Sequence, residues 1–323
     1  MQPSRADVKV GFACNNRCVF CAQGEKRRAC GAVSYAELVR RLAAVRPETG
    51  SLVLTGGEPT LHRDLPRLVA AAKKLGFHPI QIQTNGRMLR YPEAVEKLAR
   101  AGATELSPSL HGSTAAVHDA LTRAPGSYED TVAGIRNAVA SGLPVVTNSV
   151  VVRDNLGDLP ALVRLLASLG VPTAQLAFVH PVGTAAELFA EVVPRLPEVV
   201  APIAAARAAA REAGMRLVTE AVPLCFLRGM EDLAVEDAIP ETTVVDLDGA
   251  AFDYSSWRQG DGKAHGPPCE GCGARARCEG PWREYPAAFG WDEFVPLPPG
   301  ATGQRAADAT AVEAVGATAL EVA

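Results

Sequence analysis

Cys14-Asn-Asn-Arg-Cys18-Val-Phe-Cys21 sets three thiols in one short stretch, with the spacing C-x3-C-x2-C. A loop that short can turn all three sulfurs inward around one ion or cluster. A four-iron cluster bound wholly by protein takes four thiolates, so three leave one iron open for a substrate or cofactor. A zinc knuckle is the other reading, but it uses four protein ligands and would need a histidine, the nearest being His62. A second group reads Cys269-Glu-Gly-Cys272 and then Cys278, C-x2-C-x5-C, between Gly266-Pro267-Pro268 and Gly280-Pro281. Such a segment has little regular structure of its own, and a metal would supply the missing cohesion. Cys225 is the one further thiol in this region and the natural fourth ligand. Four thiolates suit structural zinc as well as a fully ligated cluster. Cys30 is the odd thiol: either a small core or loop residue, or a hydrogen-atom donor or general base beside the first group.

These thiols need a scaffold, and the first 220 residues supply a regular one. Strand-like segments are expected at Val8 to Phe12, Ser51 to Thr55, Ile80 to Gln83, Glu105 to Leu110, Val145 to Val152 and Ala174 to Val179. Between them lie amphipathic helical patterns. Ser34-Tyr35-Ala36-Glu37 reads as a capping box opening the first, and Gly76, Gly102, Gly142 and Gly170 stand past the ends of later ones. Six β-then-α units in succession predict a parallel sheet with helices outside. Right-handed crossovers curl it into a part-barrel whose active site lies at the strands' C-terminal ends. The first thiol loop and the turn Gly56-Gly57 both fall on that rim. The predicted fold class is α/β, a partial (β/α)6 TIM-like barrel over residues 1–220. A small irregular cysteine domain follows over 221–297, and a mobile tail over 298–323.

Composition narrows the function classes. The chain has 323 residues, 48% hydrophobic and 21% charged, so disorder over most of its length is excluded. With 32 basic and 36 acidic residues no broad nucleic-acid footprint is visible. No apolar run approaches the ~18–20 residues that cross a bilayer. The start of the chain has no apolar signal region, so the expected location is cytoplasmic and reducing, where clustered thiols bind metal or do redox work.

At this point the residues resemble a family. The C-x3-C-x2-C loop with Phe20 before its third cysteine, after the first strand of a β/α repeat, resembles the radical S-adenosylmethionine (radical SAM) enzymes. Gly56-Gly57-Glu58-Pro59 is similar to that family's glycine-glycine-glutamate-proline motif. Gln83-Thr84-Asn85-Gly86, Ser109-Leu110-His111-Gly112 and Asn148 fit in order and spacing over residues 8 to about 183. The resemblance implies a 4Fe-4S cluster on Cys14, Cys18 and Cys21, with the methionine end of S-adenosylmethionine on its open iron. One electron then splits the carbon–sulfur bond, giving methionine and a 5′-deoxyadenosyl radical that removes a hydrogen atom from substrate. It also implies cofactor contacts from Phe20, Gly57, Glu58, Thr84, Ser109 and Asn148. Gly57 and Glu58 would receive the amino group, Ser109 the ribose or carboxylate, and the Phe20 backbone the adenine. Arg123 reads either as a partner of the cofactor carboxylate or as a surface arginine, and His111 and His118 read as ordinary polar or capping residues.

The second group is similar to part of the auxiliary-cluster domain of such enzymes, SPASM in its long form and twitch in its short form. The long form's next cysteine is replaced here by Trp282, and its opening cysteine pair is absent around Cys225. The reading is one auxiliary 4Fe-4S cluster on Cys225, Cys269, Cys272 and Cys278, acting in electron transfer. Two 4Fe-4S clusters and S-adenosylmethionine are therefore the expected cofactors. The expected reaction is oxidation of, or bond formation on, a small molecule or short peptide, fed by a one-electron donor such as flavodoxin or ferredoxin. Only thirteen residues precede Cys14, so no leader-peptide-binding domain is expected there. Two rivals remain: a non-catalytic iron–sulfur electron carrier and a zinc-stabilised binding protein.

Overall fold

The computed structural model describes residues 4–24, 26 and 33–299, so Cys30 and almost all of the expected tail lie outside the described residues. Strand β1 (Ser4–Lys9) is followed by helix α1 (Tyr35–Val45), β2 (Ser51–Thr55), α2 (Leu65–Lys74), β3 (Ile80–Thr84), α3 (Pro92–Ala101) and β4 (Glu105–Pro108). Two helices, α4 (Ala115–Thr122) and α5 (Ser127–Ala140), lead to β5 (Val146–Val151). Then come α6 (Leu159–Ser168), β6 (Thr173–Phe178), α7 (Leu196–Glu212) and β7 (Arg216–Glu220). Helix α1 starts where its capping residue stands: the Ser34 side chain accepts the Glu37 N–H, and Leu38, Leu42 and Val45 are buried.

The strands form two parallel ladders, β4-β3-β2-β1 and β5-β6-β7. Single bridges from Leu106 to Val145 and from Ser109 to Asn148 join β4 to β5. The result is a part-barrel with helices outside, as predicted; it does not close. Two later segments return to it. β8 (Glu241–Val245) pairs parallel with the free edge of β1, and β9 (Ala251–Asp253) caps β8 antiparallel. The sequence shows nothing but irregular structure there, because a single five-residue strand between turns has no periodic neighbours to announce it. Among the described residues no helix is long and apolar enough to cross a membrane.

The first strand differs from its prediction. Val8 to Phe12 is the apolar run, but β1 ends at Lys9, and Gly11 to Ala13 already belong to the thiol loop. Along β1, Ala6 and Val8 pack with Leu38, Leu42 and Leu54, while Arg5, Asp7 and Lys9 face the barrel interior at 1–3% exposure. Burial holds the Asp7 carboxyl up at about 7 and lowers Arg5 to about 10. Strand β1 thus has two buried faces, one apolar and one polar.

Candidate functional site

The thiol loop and the glycine turn hold each other. After Lys9 the chain still bonds β2, Val10 N–H to Thr55 C=O at 2.9 Å, and then crosses the strand ends. Gly57 N–H donates to Gly11 C=O at 2.7 Å and Glu58 N–H to Ala13 C=O at 2.8 Å. The approach is so close that a Cβ on Gly57 would lie 2.4 Å from the Phe12 carbonyl oxygen. Only glycine permits it. On its other side the loop docks on the end of α4, Arg17 N–H to Thr122 C=O at 2.8 Å and Val19 N–H to Leu121 C=O at 2.9 Å. Arg87, paired with Asp130 at 3.1 Å, donates to Asn15 C=O at 2.6 Å and Asn16 Oδ1 at 3.2 Å.

Cys14, Cys18 and Cys21 line a cavity at the strands' C-terminal ends. Phe20, Gly57, Thr84 and Ser109, all expected to touch cofactor, line the same cavity. Glu58 stands behind it. Its carboxylate accepts from Thr60 N–H at 3.0 Å, Thr60 Oγ1 at 2.5 Å, Thr84 Oγ1 at 2.6 Å and Asn85 N–H at 2.6 Å. Burial raises its pKa against those four donors. Its visible work is to fix Thr84 and Asn85, and Asn85 Nδ2 in turn donates to Asn15 Oδ1 at 2.7 Å. Asn148 lines a neighbouring cavity instead, and Arg123 is an exposed helix cap with φ 50°.

Two residues on the first cavity carried no clear signal in the sequence. His111 is 3% exposed, lines the cavity and packs edge-on against Phe20, centroids 4.6 Å apart. Its Nδ1 accepts the Val150 N–H at 3.2 Å, so the proton of the neutral ring sits on Nε2. Burial and the nearby His118 keep it neutral, well below the usual imidazole range. Gln83 also lines the cavity, and its buried Oε1 has no hydrogen-bond partner among the described residues.

The later cysteines converge from two places in the chain, Cys225 from one segment and Cys269, Cys272 and Cys278 from another. Cys225, Cys269, Cys272 and Cys278 ring a second cavity of about 390 Å³, with Leu224, Pro268 and Phe294 among its walls. Cys272 Sγ accepts the Leu297 N–H at 3.4 Å. Burial, then the neighbouring Cys278, Cys269 and Cys272, push the Cys225 thiol up to about 12. Among the described residues no trio of His, Cys, Asp and Glu closes on a point that a single ion could share; the four sulfurs surround a space instead.

A third cavity shares Phe20 and Ala22 of the first loop with the first one and is lined as well by Asn148, His180, Glu220 and Trp282. His180 and Trp282 are stacked, centroids 3.8 Å apart and planes 16° from parallel. Beneath Trp282, the buried Lys263 bridges Glu236 at 3.3 Å and Glu279 at 3.0 Å, and Arg258 meets Glu279 at 2.8 Å. Burial works against the Lys263 charge, but these two carboxylates outweigh it and its pKa is raised.

The model of the Radical SAM superfamily matches residues 8–166. A probable GTP 3′,8-cyclase of Saccharolobus solfataricus is 35% identical over 190 residues, 57% of this chain and 59% of that relative. A probable GTP 3′,8-cyclase of Sulfolobus acidocaldarius is 32% identical over 56% of this chain and 58% of its own. The chain thus spans less than two thirds of the length of the curated relatives it matches. Among solved structures, Streptococcus suis SuiB bound to S-adenosylmethionine has a similar fold, with TM-score 0.64 and 17% identity. It covers 87% of this chain and 73% of its own. Native anSMEcpe with bound AdoMet has TM-score 0.57 and 13% identity over 78% of this chain and 74% of its own. The matched segment carries the thiol loop, the glycine turn and strands β2 to β5, and the fold agrees beyond it: residues 8–166 of this chain are a radical SAM superfamily domain.

Proposed function

We propose that the chain cleaves S-adenosylmethionine reductively at a 4Fe-4S cluster held by Cys14, Cys18 and Cys21. It uses the resulting radical to oxidise, or form a bond on, a small organic substrate in the third cavity. The observation that carries this reading is the shared wall of the first cavity, where three thiols from one loop meet Gly57, Thr84, Ser109 and His111 from three strand ends. The donor set fits a cluster with one uncommitted iron, because the loop brings three thiols, one short of the four that a fully protein-bound four-iron cluster takes, to one cavity wall. When bound, the cluster supplies one electron and S-adenosylmethionine supplies a 5′-deoxyadenosyl radical that abstracts hydrogen. The chain's own groups do the rest. Gly57 lets the backbone approach the cofactor, Gln83 Oε1 offers an unused acceptor and His111 Nε2–H a donor. Phe20, shared by the first and third cavities, separates cofactor from substrate.

Cys225, Cys269, Cys272 and Cys278 fit a second, fully ligated cluster acting in electron transfer. The four thiols on one cavity wall would complete the ligand set of such a cluster without a side chain from elsewhere. In this reading residues 221–297 form a twitch-like domain, and a flavodoxin- or ferredoxin-like protein is the reductant. The name of the Saccharolobus solfataricus relative favours a second reading, in which the substrate is a nucleotide. The test is anaerobic reconstitution, iron and sulfide counting, and a dithionite-driven assay for 5′-deoxyadenosine. A protein that holds zinc, or one that holds iron and makes no deoxyadenosine, overturns the proposal.

A further inference from the structure

Hydrogen-bonding groups sealed from water normally find partners; leaving one unpaired costs about 1–3 kcal/mol. Around the third cavity four such atoms stand together. Among the described residues, His180 Nδ1 and Nε2, Trp282 Nε1 and Asn148 Oδ1 are buried without a hydrogen bond. The three residues are 7%, 4% and 2% exposed. Glu284 Oε2, itself buried without a hydrogen bond, lies 3.8 Å from His180 Nε2, beyond hydrogen-bond distance. Burial and Lys263 hold His180 down at about 3, so its ring is neutral and offers one donor and one acceptor.

The set therefore presents an indole N–H donor, an amide oxygen acceptor and an imidazole with one of each, on walls that include the rings of Phe20 and Phe178. Its complement is a planar, uncharged edge with N–H beside C=O. No lysine or arginine is among the cavity's described lining, which carries instead the Glu220 carboxyl, held up at about 7 by burial. The cations behind the wall, Lys263 and Arg258, are already paired with Glu236 and Glu279, so a polyphosphate would have to compete for them.

We propose that the third cavity recognises its substrate through an uncharged amide edge, a peptide unit or the lactam edge of a nucleobase, bound by His180, Trp282 Nε1 and Asn148 Oδ1, and that it does not take a triphosphate. This rests on the reading of that cavity as the substrate site.

The test is saturation-transfer NMR on the reconstituted protein with three probes: N-acetylglycinamide, guanosine and GTP. At least one of the two uncharged probes binds, and which one distinguishes the peptide source from the nucleobase source. Its Kd rises roughly fivefold to tenfold in His180→Phe, which keeps the ring stack and loses both nitrogens. His180→Gln, which retains a donor and an acceptor, recovers part of the loss. Should His180→Phe misfold by circular dichroism, Trp282→Phe removes the indole N–H and serves the same purpose. Binding of neither uncharged probe, affinity unchanged in the variants, or GTP binding more tightly than guanosine overturns the inference. Deoxyadenosine formation without substrate is measured on the same samples. Its absence would refute the proposed function; its presence with no probe bound would refute this inference alone.

Discussion

Gly57→Ala tests how the first site is built. The added carbon would sit 2.4 Å from the Phe12 carbonyl oxygen, 2.6 Å from its carbon and 2.7 Å from the Ala13 oxygen, all backbone atoms of the thiol loop. Carbon–oxygen contacts settle near 3.3–3.6 Å, so the loop must retreat by about 1 Å. That retreat strains the bonds from Gly57 N–H to Gly11 C=O and from Glu58 N–H to Ala13 C=O. Overpacking and two weakened hydrogen bonds together are worth roughly 2–6 kcal/mol, and the loop bears them rather than the core. The expected variant is folded but loses the iron of the first site, keeps that of the Cys225 site and makes no deoxyadenosine. Iron and sulfide counts, a denaturant midpoint and the cleavage assay read all three. Gly11→Ala is the control, because a Cβ there meets nothing within 4 Å. Full iron content and an unchanged midpoint in Gly57→Ala would refute the buttressing of loop by turn.

Glu58→Gln places an amide among four donors to the carboxylate, from Thr60, Thr84 and Asn85, and is expected to cost about 1–3 kcal/mol. A melting temperature equal to wild type would show that this carboxylate is not the acceptor for the turn. Glu105 is buried, hydrogen-bonded to Gln81, and held up at about 7 by burial. Its folded pKa exceeds the unfolded one, so its penalty is absent below about pH 4, grows as pH rises towards 7 and is complete above it, at ~3 kcal/mol. Glu105→Gln should therefore melt several degrees above wild type at pH 8 and lose that advantage at pH 4.5; a difference independent of pH would contradict the assignment. Cys18→Ala should abolish S-adenosylmethionine cleavage, whereas Cys272→Ala should leave uncoupled cleavage and block turnover. Equal loss of cleavage in a folded Cys272→Ala protein would count against separate roles.

Local spacing decided more of this protein than any other feature. The C-x3-C-x2-C loop, the Gly-Gly-Glu-Pro turn and the succession of strand and capped helix are short-range patterns, and each has one cheap local conformation. They were sufficient for the part-barrel and for setting Cys14, Cys18, Cys21, Gly57, Thr84 and Ser109 on one cavity, though not for Glu58 and Asn148, which lie off it. The second thiol group was legible as a candidate ligand set from its spacing and from the Gly and Pro around Cys269. Tertiary structure decided what lies between. Whether Arg5, Asp7 and Lys9 face water or a polar interior depends on curvature, which no strand carries in its own sequence. His111 reads as a polar residue after a strand until Val150 approaches its Nδ1 from the next one. Asn148, His180 and Trp282 come from separate segments and carry no shared spacing, so only the curled sheet and the returning C-terminal segment could enclose their unpaired atoms around one space. Helix periods and ligand spacings are properties of neighbouring residues, whereas a cavity is a property of surfaces that meet only when the chain is folded.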